Sequence, residues 1–485
     1  MQSPVRQSLS APQPETPKLA GIRWTGLSAM LCACLSLVQI PILARLLSPS
    51  DFGLMAIVMS VMAFAQMFAD AGVSNALIHK QNISQQQLSS LYWLNVTSST
   101  VLALILFALG YGVAYYYRQP QLHLLLSMTA LSLLLSSFGL QLRVLAQKAL
   151  HFDRLAKVEM VGATAGFLTA TTSAWLGCGV YSIVFGNLAS ATAILAMSWT
   201  TLANGWRPEL RLDWTEIRPF LKFGAYMVGN DLANTINGQI DVLLGGRILS
   251  STTLGLYNLP KSLAIRIQLL VNPIITKVGF PVMAKVQHDP QQLRLIYLNT
   301  LNLTASVNFP IYAAMAFFAE PIVVLVFGKQ WLEAVPIMQI LAIWAAVRST
   351  ANPIGSLLLA KGRADLSFRW NIALLGIVPP TIWIGSHFGA IGMAYALLAS
   401  QLLLFVPGWY FLIRPMCGAT LRQTLTQFLR PSIASLFFLG IALIGSAYTN
   451  KALHILLAAA GSLAALLMAT YPLWASLGIR LRKSG

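Results

Sequence analysis

Charged residues are scarce in this sequence: only 9% of its 485 residues are Asp, Glu, Lys or Arg, against about a quarter in ordinary soluble proteins. Acidic residues are the rarest of them, with 14 Asp and Glu against 32 Lys and Arg. Hydrophobic residues make up 56% of the chain. A chain so poor in charge cannot cover the surface of a soluble protein, so the sequence predicts an all-α integral membrane protein.

Cysteine and histidine are also few, and their positions exclude several kinds of site. Four cysteines, at positions 32, 34, 178 and 417, are scattered over apolar segments without a repeated ligand spacing, and the six histidines are equally dispersed. This pattern indicates neither a disulfide framework nor a metal site. We expect no catalytic residue, no metal and no cofactor.

The first 21 residues contain no apolar run and are rich in Pro, Gln and Ser. A cleavable signal peptide needs an apolar centre, and a polar segment of this composition is typical of disorder. We therefore predict that residues 1–21 form a disordered cytoplasmic tail.

The rest of the chain contains apolar segments long enough to cross a bilayer as helices, which takes about 20 residues each. We predict fourteen such spans. They cover residues 24–43, 53–77, 90–115, 122–146, 158–177, 179–203, 219–244, 254–279, 294–318, 335–358, 370–388, 389–413, 432–448 and 453–477.

The net charge of +18 would suit a nucleic-acid-binding protein, but the positions of the cations indicate a membrane topology instead. If both termini are cytoplasmic, the inner segments hold 24 of the 32 Lys and Arg and the outer segments hold five. Cytoplasmic loops of membrane proteins are enriched in Lys and Arg in this way. We predict both termini on the cytoplasmic side of a bacterial inner membrane, membrane lipids as the surroundings, and no nucleic-acid partner.

The two halves of the chain show an internal repeat. Residues 45–54 (RLLSPSDFGL) return 202 residues later as 247–256 (RILSSTTLGL), and 86–92 (QQLSSLY) return as 291–297 (QQLRLIY). The motif around Leu188-Ala-Ser190 returns around Leu398-Ala-Ser400. Because each unit holds six spans, the halves should run in the same direction across the membrane. We predict six-helix bundles over 22–203 and 219–414, a cytoplasmic linker over 204–218, and two additional helices with a basic end over 415–485.

Polar and charged residues within the seventh, eighth and tenth spans are the candidate functional residues, because intramembrane charge usually marks function. Asn230, Asn234, Asn237 and Asp241 follow helical spacing and predict a polar stripe, with Asp231 beside it. Two arrangements are open for the intramembrane cations: they line a cavity, or they pair with Asp231 or Asp241 and lock helices together. These cations and the amides near them are Lys261, Arg266, Arg348, Gln268 and Asn272.

Two further features are weaker. Asp70, near the inner end of the second span, is either a capping residue or a coupling site. Pro273, Pro310 and Pro353 are candidate bends, since proline removes a helical hydrogen bond.

Several of these segments resemble a known family. They are RLLSPSDFGL (45–54), FADAGVSNALI (68–78), LYWLN (91–95), DVLLGGR (241–247) and LGLY (254–257). In combination they are similar to the polysaccharide transporters of the multidrug/oligosaccharidyl-lipid/polysaccharide superfamily, especially the Wzx-type flippases of the colanic-acid and succinoglycan kind. The resemblance extends over nearly the whole chain from about residue 22.

The resemblance implies a V-shaped pair of bundles that moves a polyprenyl-diphosphate-linked oligosaccharide to the outer leaflet by alternating access. It implies that Lys261, Arg266 and Arg348 bind the diphosphate, and that Asn230, Asn234, Asn237, Gln268 and Asn272 bind the sugar. Transport would be coupled to H⁺ or Na⁺ through Asp70, Asp231 or Asp241, with a polysaccharide polymerase and chain-length proteins as partners. Two alternatives are a cation-coupled multidrug exporter of the same fold and a membrane-embedded polysaccharide polymerase or ligase.

Overall fold

The computed structural model describes residues 19–70, 77, 83–203, 205–210 and 213–446. Within these ranges every regular element is a helix, so the predicted all-α class is confirmed. The first lobe contains α1 to α6, which are Leu19–Leu46, Pro49–Asp70, Gln85–Tyr117, Gln121–Lys148, Phe152–Trp175 and Tyr181–Thr201. The second lobe contains α7 to α14, which are Trp214–Ile248, Ser251–Lys285, Pro290–Phe317, Val335–Ser349, Asn352–Ala360, Ala364–Ser386, Gly389–Leu403 and Leu421–Ser446.

Helices occupy the first thirteen predicted spans, and the fourteenth, 453–477, lies outside the described residues. Eight helical segments of the described chain are long and apolar enough to cross a membrane, or nine if α9 and the bent segment after it count as one span. The segment after α9, Ala319–Phe327, turns by 76° from the helix axis. Other long helices, α5 and α7 among them, fall outside this group because polar residues interrupt their apolar runs.

Of the three prolines predicted as candidate bends, Pro353 lies at a break between helices, and the other two do not. The tenth span breaks after Ser349, and the chain resumes as α11 with Pro353 in its first turn. Proline is accepted there because the first N–H groups of a helix have no intrahelical partner. By contrast, Pro273 and Pro310 lie inside the continuous helices α8 and α9.

The two lobes touch where α2 crosses α8, and two glycines permit the close approach. A methyl group added to Gly53 would overlap the carbonyl oxygen of Ser251, and one added to Gly255 would overlap the carbonyl oxygen of Pro49. The hydroxyls of Ser50 and Ser251 are 2.7 Å apart. These contacts are reciprocal, since Gly53 and Pro49 lie 202 residues before Gly255 and Ser251. A two-fold axis between repeated units produces this kind of contact.

The end of α1 is held by a short segment of the second lobe, which we call the outer latch and define as Gln330 and Trp331. Gln330 Nε2 donates to the carbonyls of Ala44 at 2.6 Å and Leu47 at 3.0 Å. Trp331 Nε1 donates to the Ala44 carbonyl at 2.8 Å. The last carbonyls of a helix have no intrahelical donor, so the outer latch satisfies them and closes the lobes together at the predicted outer face.

The predicted linker packs on the first lobe at the opposite face. The backbone N–H groups of Glu209 and Asp213 donate to Ser89 and Ser90 at the start of α3. α7 begins at Trp214, inside the predicted linker, and Ile217 is buried among apolar residues of the first lobe. The linker thus joins the lobes through a helix that starts against the first lobe.

Candidate functional site: a cavity in the second lobe

The helices of the second lobe enclose a cavity of about 550 Å³. Its polar lining comes from all the helices α7 to α14, and its apolar lining includes rings from α10, α12 and α14. Four residues predicted from the sequence line it: Asn234, Asn237, Gln268 and Arg348. All of the described residues that line this cavity belong to the second lobe.

Arg348 is the cation of this cavity. It lies in the last turn of α10, directly before the break in the tenth span. Its guanidinium packs over the ring of Trp344, with its central carbon 5.0 Å from the ring centroid. No carboxylate of the described residues lies within ion-pair distance of it. Aromatic stacking orients the guanidinium but leaves its N–H donors available to a ligand.

Amide groups face the same space. Asn237 Nδ2 donates to the Asn371 carbonyl at 2.9 Å, which joins α7 to α12. The other end of this amide, Asn237 Oδ1, is buried without a hydrogen-bond partner among the described residues. Gln268 and Gln401 complete the amide lining. A buried polar atom without a partner is costly, so these amides suit a ligand rich in hydroxyl groups.

Lys261 and Asp241 do not line the cavity, because they form a buried ion pair between α7 and α8. Lys261 Nζ lies 2.5 Å from Asp241 Oδ2, and their side chains are 6% and 2% exposed. Tyr257 Oη donates to the same Asp241 oxygen at 2.5 Å. Lys261 also donates to the Gly238 carbonyl at 3.3 Å. Of the two arrangements open for Lys261, the structure shows the pairing.

The predicted polar stripe of α7 therefore divides. Asn234 and Asn237 face the cavity, and Asp241 turns toward α8. At about 100° per residue, Asp241 lies between Asn234 and Asn237 around the helix, so the division follows position along the axis. One turn beyond Asn237, the Asp241 carboxylate meets Lys261 and Tyr257 of α8. The turn between α7 and α8 falls between the seventh and eighth predicted spans, since α7 ends at Ile248 and α8 begins at Ser251.

Asn272 is buried and connects three helices. Its Nδ2 donates to the Ser349 carbonyl at 3.2 Å, and its Oδ1 accepts from Asn308 Nδ2 at 2.9 Å. Asn272 is not among the cavity-lining residues. Its interhelical bonds match a packing role more closely than the predicted contact with sugar.

Arg266 lies on another face of α8. It comes eleven residues, or three turns, after Gly255, so it shares the face that meets α2. Its side chain is exposed, and it is not among the residues that line the second-lobe cavity. Helical spacing thus places Arg266 on the side of α8 that carries Gly255. The remaining candidates, the side chains of Asp70, Asn230 and Asp231, lie outside the described part of the structure.

Four residues that these sites use were not predicted from the sequence: Trp344, Tyr257, Asn371 and Gln401. Asn371 is an amide within an apolar span, which is a detectable signal. Tyr257 lies one helical turn before Lys261, and this spacing indicates a shared partner only once Asp241 is known to face α8.

Together, two helical lobes of apolar spans, a closed predicted outer face and a polar cavity among those spans define a membrane transporter. The fold has a solved counterpart: a lipid II flippase, MurJ, in an inward closed conformation has a TM-score of 0.73, 15% identity, and coverage of 93% of this chain and 99% of its own. Residues 42–336, more than half of the chain, match the family described as polysaccharide biosynthesis protein. The chain belongs to this family.

Two relatives of known name extend the comparison. The lipopolysaccharide biosynthesis protein WzxC of Escherichia coli (strain K12) is 32% identical over 434 residues, which covers 88% of both chains. The teichuronic acid biosynthesis protein TuaB of Bacillus subtilis (strain 168) is 29% identical over 430 residues, covering 88% of this chain and 89% of its own. The protein is thus a polysaccharide-biosynthesis transporter, as the resemblance implied, and not an enzyme of polymer synthesis.

Proposed function

We propose that the protein is a flippase that moves a polyprenyl-diphosphate-linked oligosaccharide across the bacterial inner membrane by alternating access. The family and the two named relatives support polysaccharide synthesis as the process. The shared fold with a lipid II flippase supports a lipid-linked cargo.

The observation that carries the proposal is Arg348, the unpaired guanidinium in an amide-lined cavity. A diphosphate must exchange its water shell for fixed donors when it enters the membrane, and arginine offers a planar set of N–H groups that matches phosphate oxygens. Sugar hydroxyls both donate and accept hydrogen bonds, as the amides of Asn237, Gln268 and Gln401 do.

The rival function, export of cationic drugs, needs an unpaired carboxylate in the cavity. Asp241 is the one candidate acid whose side chain the structure describes, and Lys261 neutralises it at 2.5 Å. Since Arg348 adds one positive charge, the described cavity suits an anionic cargo.

Four further features belong to the proposal. Coupling uses H⁺ or Na⁺, with Asp70 and Asp231 as candidate carboxylates. Both termini are cytoplasmic. Arg266 provides a second cation on the face of α8 that meets the first lobe. A polysaccharide polymerase and chain-length proteins receive the translocated unit.

The test replaces Arg348 in a strain whose own copy is deleted. Arg348→Gln should abolish surface polysaccharide, because the loss of charge-assisted bonds worth about 1.5 to 3 kcal/mol each lowers the transport rate tenfold or more. Arg348→Lys should retain partial function, since it keeps the charge without the planar donors. The matched control, Lys329→Gln, removes an exposed cation at the predicted outer face. Normal polymer from Arg348→Gln at normal membrane levels would contradict the role of this cavity.

A further inference from the structure

A second cavity, of about 660 Å³, lies at the predicted outer face and shares no lining residue with the first. It forms where the turn between α3 and α4 meets the end of α7, so both lobes contribute to it. Its volume is within the range of about 300 to 1,000 Å³ that is usual for small-ligand sites. We call it the outer pocket, defined by Tyr111, Tyr115, Tyr116, Arg118, His123 and Arg247.

The outer pocket contains two cations without a matching acid. Neither Arg118 nor Arg247 forms an ion pair with any residue that the structure describes. The Arg247 guanidinium lies over the Tyr116 ring, 5.4 Å from its centroid. Arg118 has a φ of 56° at the carboxyl end of α3. Glycine usually takes such a left-handed cap, so an arginine there is strained by about 1 kcal/mol while its side chain lines the pocket.

Aromatic groups provide the rest of the pocket. The Tyr111 and Tyr115 side chains are 64% and 89% exposed. The His123 ring lies 3.7 Å from that of Tyr111, and His123 Nε2 is buried without a hydrogen-bond partner among the described residues. Tyrosines are common at membrane surfaces, so the rings alone indicate no ligand. Their combination with two arginines that form no ion pair among the described residues does.

The lobes also meet at an equivalent junction beside Arg45. Comparison of the two junctions shows that the fold alone does not require an open pocket at the outer face. Arg45 occupies the position equivalent to Arg247, 202 residues earlier. Its guanidinium donates to the Leu325 carbonyl of the other lobe, and the outer latch fills the space beside it. One junction is thus closed by direct bonds, whereas its counterpart leaves its arginine to line an open pocket.

We propose that the outer pocket binds an acidic sugar of the translocated glycan. Arg118 and Arg247 bind its carboxylate, because guanidinium groups form paired bonds with carboxylate oxygens. The C–H face of the pyranose ring packs on the exposed tyrosine rings, whose faces carry partial negative charge. His123 packs against Tyr111, with ring centroids 3.7 Å apart, and holds that ring in place. This inference rests on the proposed function for the source of the sugar, and it assigns to that sugar a site separate from the Arg348 cavity.

The binding experiment uses the purified full-length protein in phosphatidylcholine nanodiscs, with tetragalacturonate as the acidic probe and maltotetraose as the neutral one. Calorimetry should show binding of tetragalacturonate and not of maltotetraose. Arg118→Gln and Arg247→Gln should each raise the Kd about tenfold or more, as expected when a charge-assisted bond is lost. Tyr115→Leu should weaken binding without changing any charge.

Two control variants separate this inference from the proposed function. Lys329→Gln and Arg348→Gln should both bind tetragalacturonate like the native protein, although Arg348→Gln fails to export polymer. Native affinity in both pocket variants, equal binding of the two probes, or loss of binding in Arg348→Gln would overturn the inference. So would displacement of tetragalacturonate by phosphatidylglycerol added to the nanodiscs, since the pocket would then be a lipid headgroup site.

Discussion

The buried pair of Lys261 and Asp241 allows a quantitative test of which intramembrane charges support the fold. At a separation of 2.5 Å, two unit charges attract with a gross energy of about 7 kcal/mol at an effective dielectric constant of about 20. Desolvation offsets most of this attraction, but removing one partner leaves the other charge buried alone, which costs about 3 to 5 kcal/mol. We therefore expect Lys261→Met and Asp241→Asn to be strongly destabilised and the double variant to recover most of the stability.

The two single variants should lose different amounts of stability. In Lys261→Met, Asp241 still accepts hydrogen bonds from Tyr257 Oη and from the Val242 N–H at 2.9 Å. In Asp241→Asn, Lys261 keeps only two acceptors, which are the Gly238 carbonyl and the side-chain amide oxygen of the introduced asparagine. Asp241→Asn should consequently be the less stable of the two.

The assay is unfolding of the purified protein in detergent, combined with surface polysaccharide production in a complemented deletion strain. The double variant should fold and export polymer, because the pair lies outside the cavity lining. The reasoning fails if Lys261→Met unfolds like the native protein yet exports nothing, since Lys261 would then contact the cargo.

Two further predictions concern the contacts between the lobes at the predicted outer face. Gly53→Ala and Gly255→Ala should destabilise the closed face by similar amounts, about 1 to 3 kcal/mol for overpacking. The reason is that each added methyl group meets a carbonyl oxygen of the other lobe. Unequal loss of export in the two variants would contradict the reciprocal geometry. Gln330→Ala should speed hydrogen–deuterium exchange at the end of α1, because it removes two bonds worth about 1 kcal/mol each from the last carbonyls. The adjacent control Lys329→Gln should exchange like the native protein, and an unchanged rate in Gln330→Ala would exclude the outer latch.

The positions of the helices were predictable from the sequence, and so was the break that places Arg348 in the cavity. Hydropathy is summed along one segment, so a membrane span can be predicted without knowing which helices pack around it. The periodicity of α8 is equally local, but it does not distinguish Gln268, which lines the cavity, from Lys261, which pairs with Asp241, or from Asn272, which bonds between helices.

The partners of the polar residues were not predictable in the same way. Lys261, Arg266 and Arg348 are alike as residues within apolar spans, yet one is neutralised by Asp241, one is exposed outside the cavity and one lines the cavity without an ion pair among the described residues. Asn371, far along the chain, bonds Asn237 through its backbone carbonyl, which no side-chain pattern reveals.

A helical membrane protein with a repeated pattern and intramembrane cations follows from the amino-acid sequence, because the bilayer imposes length and hydropathy on each segment separately. The packing of the helices settles which cation forms no ion pair, where the cavities lie and how the lobes close. Those properties depend on which helices are brought side by side over 100 or more residues of chain, and a buried charge is stabilised or left unpaired by those neighbours alone.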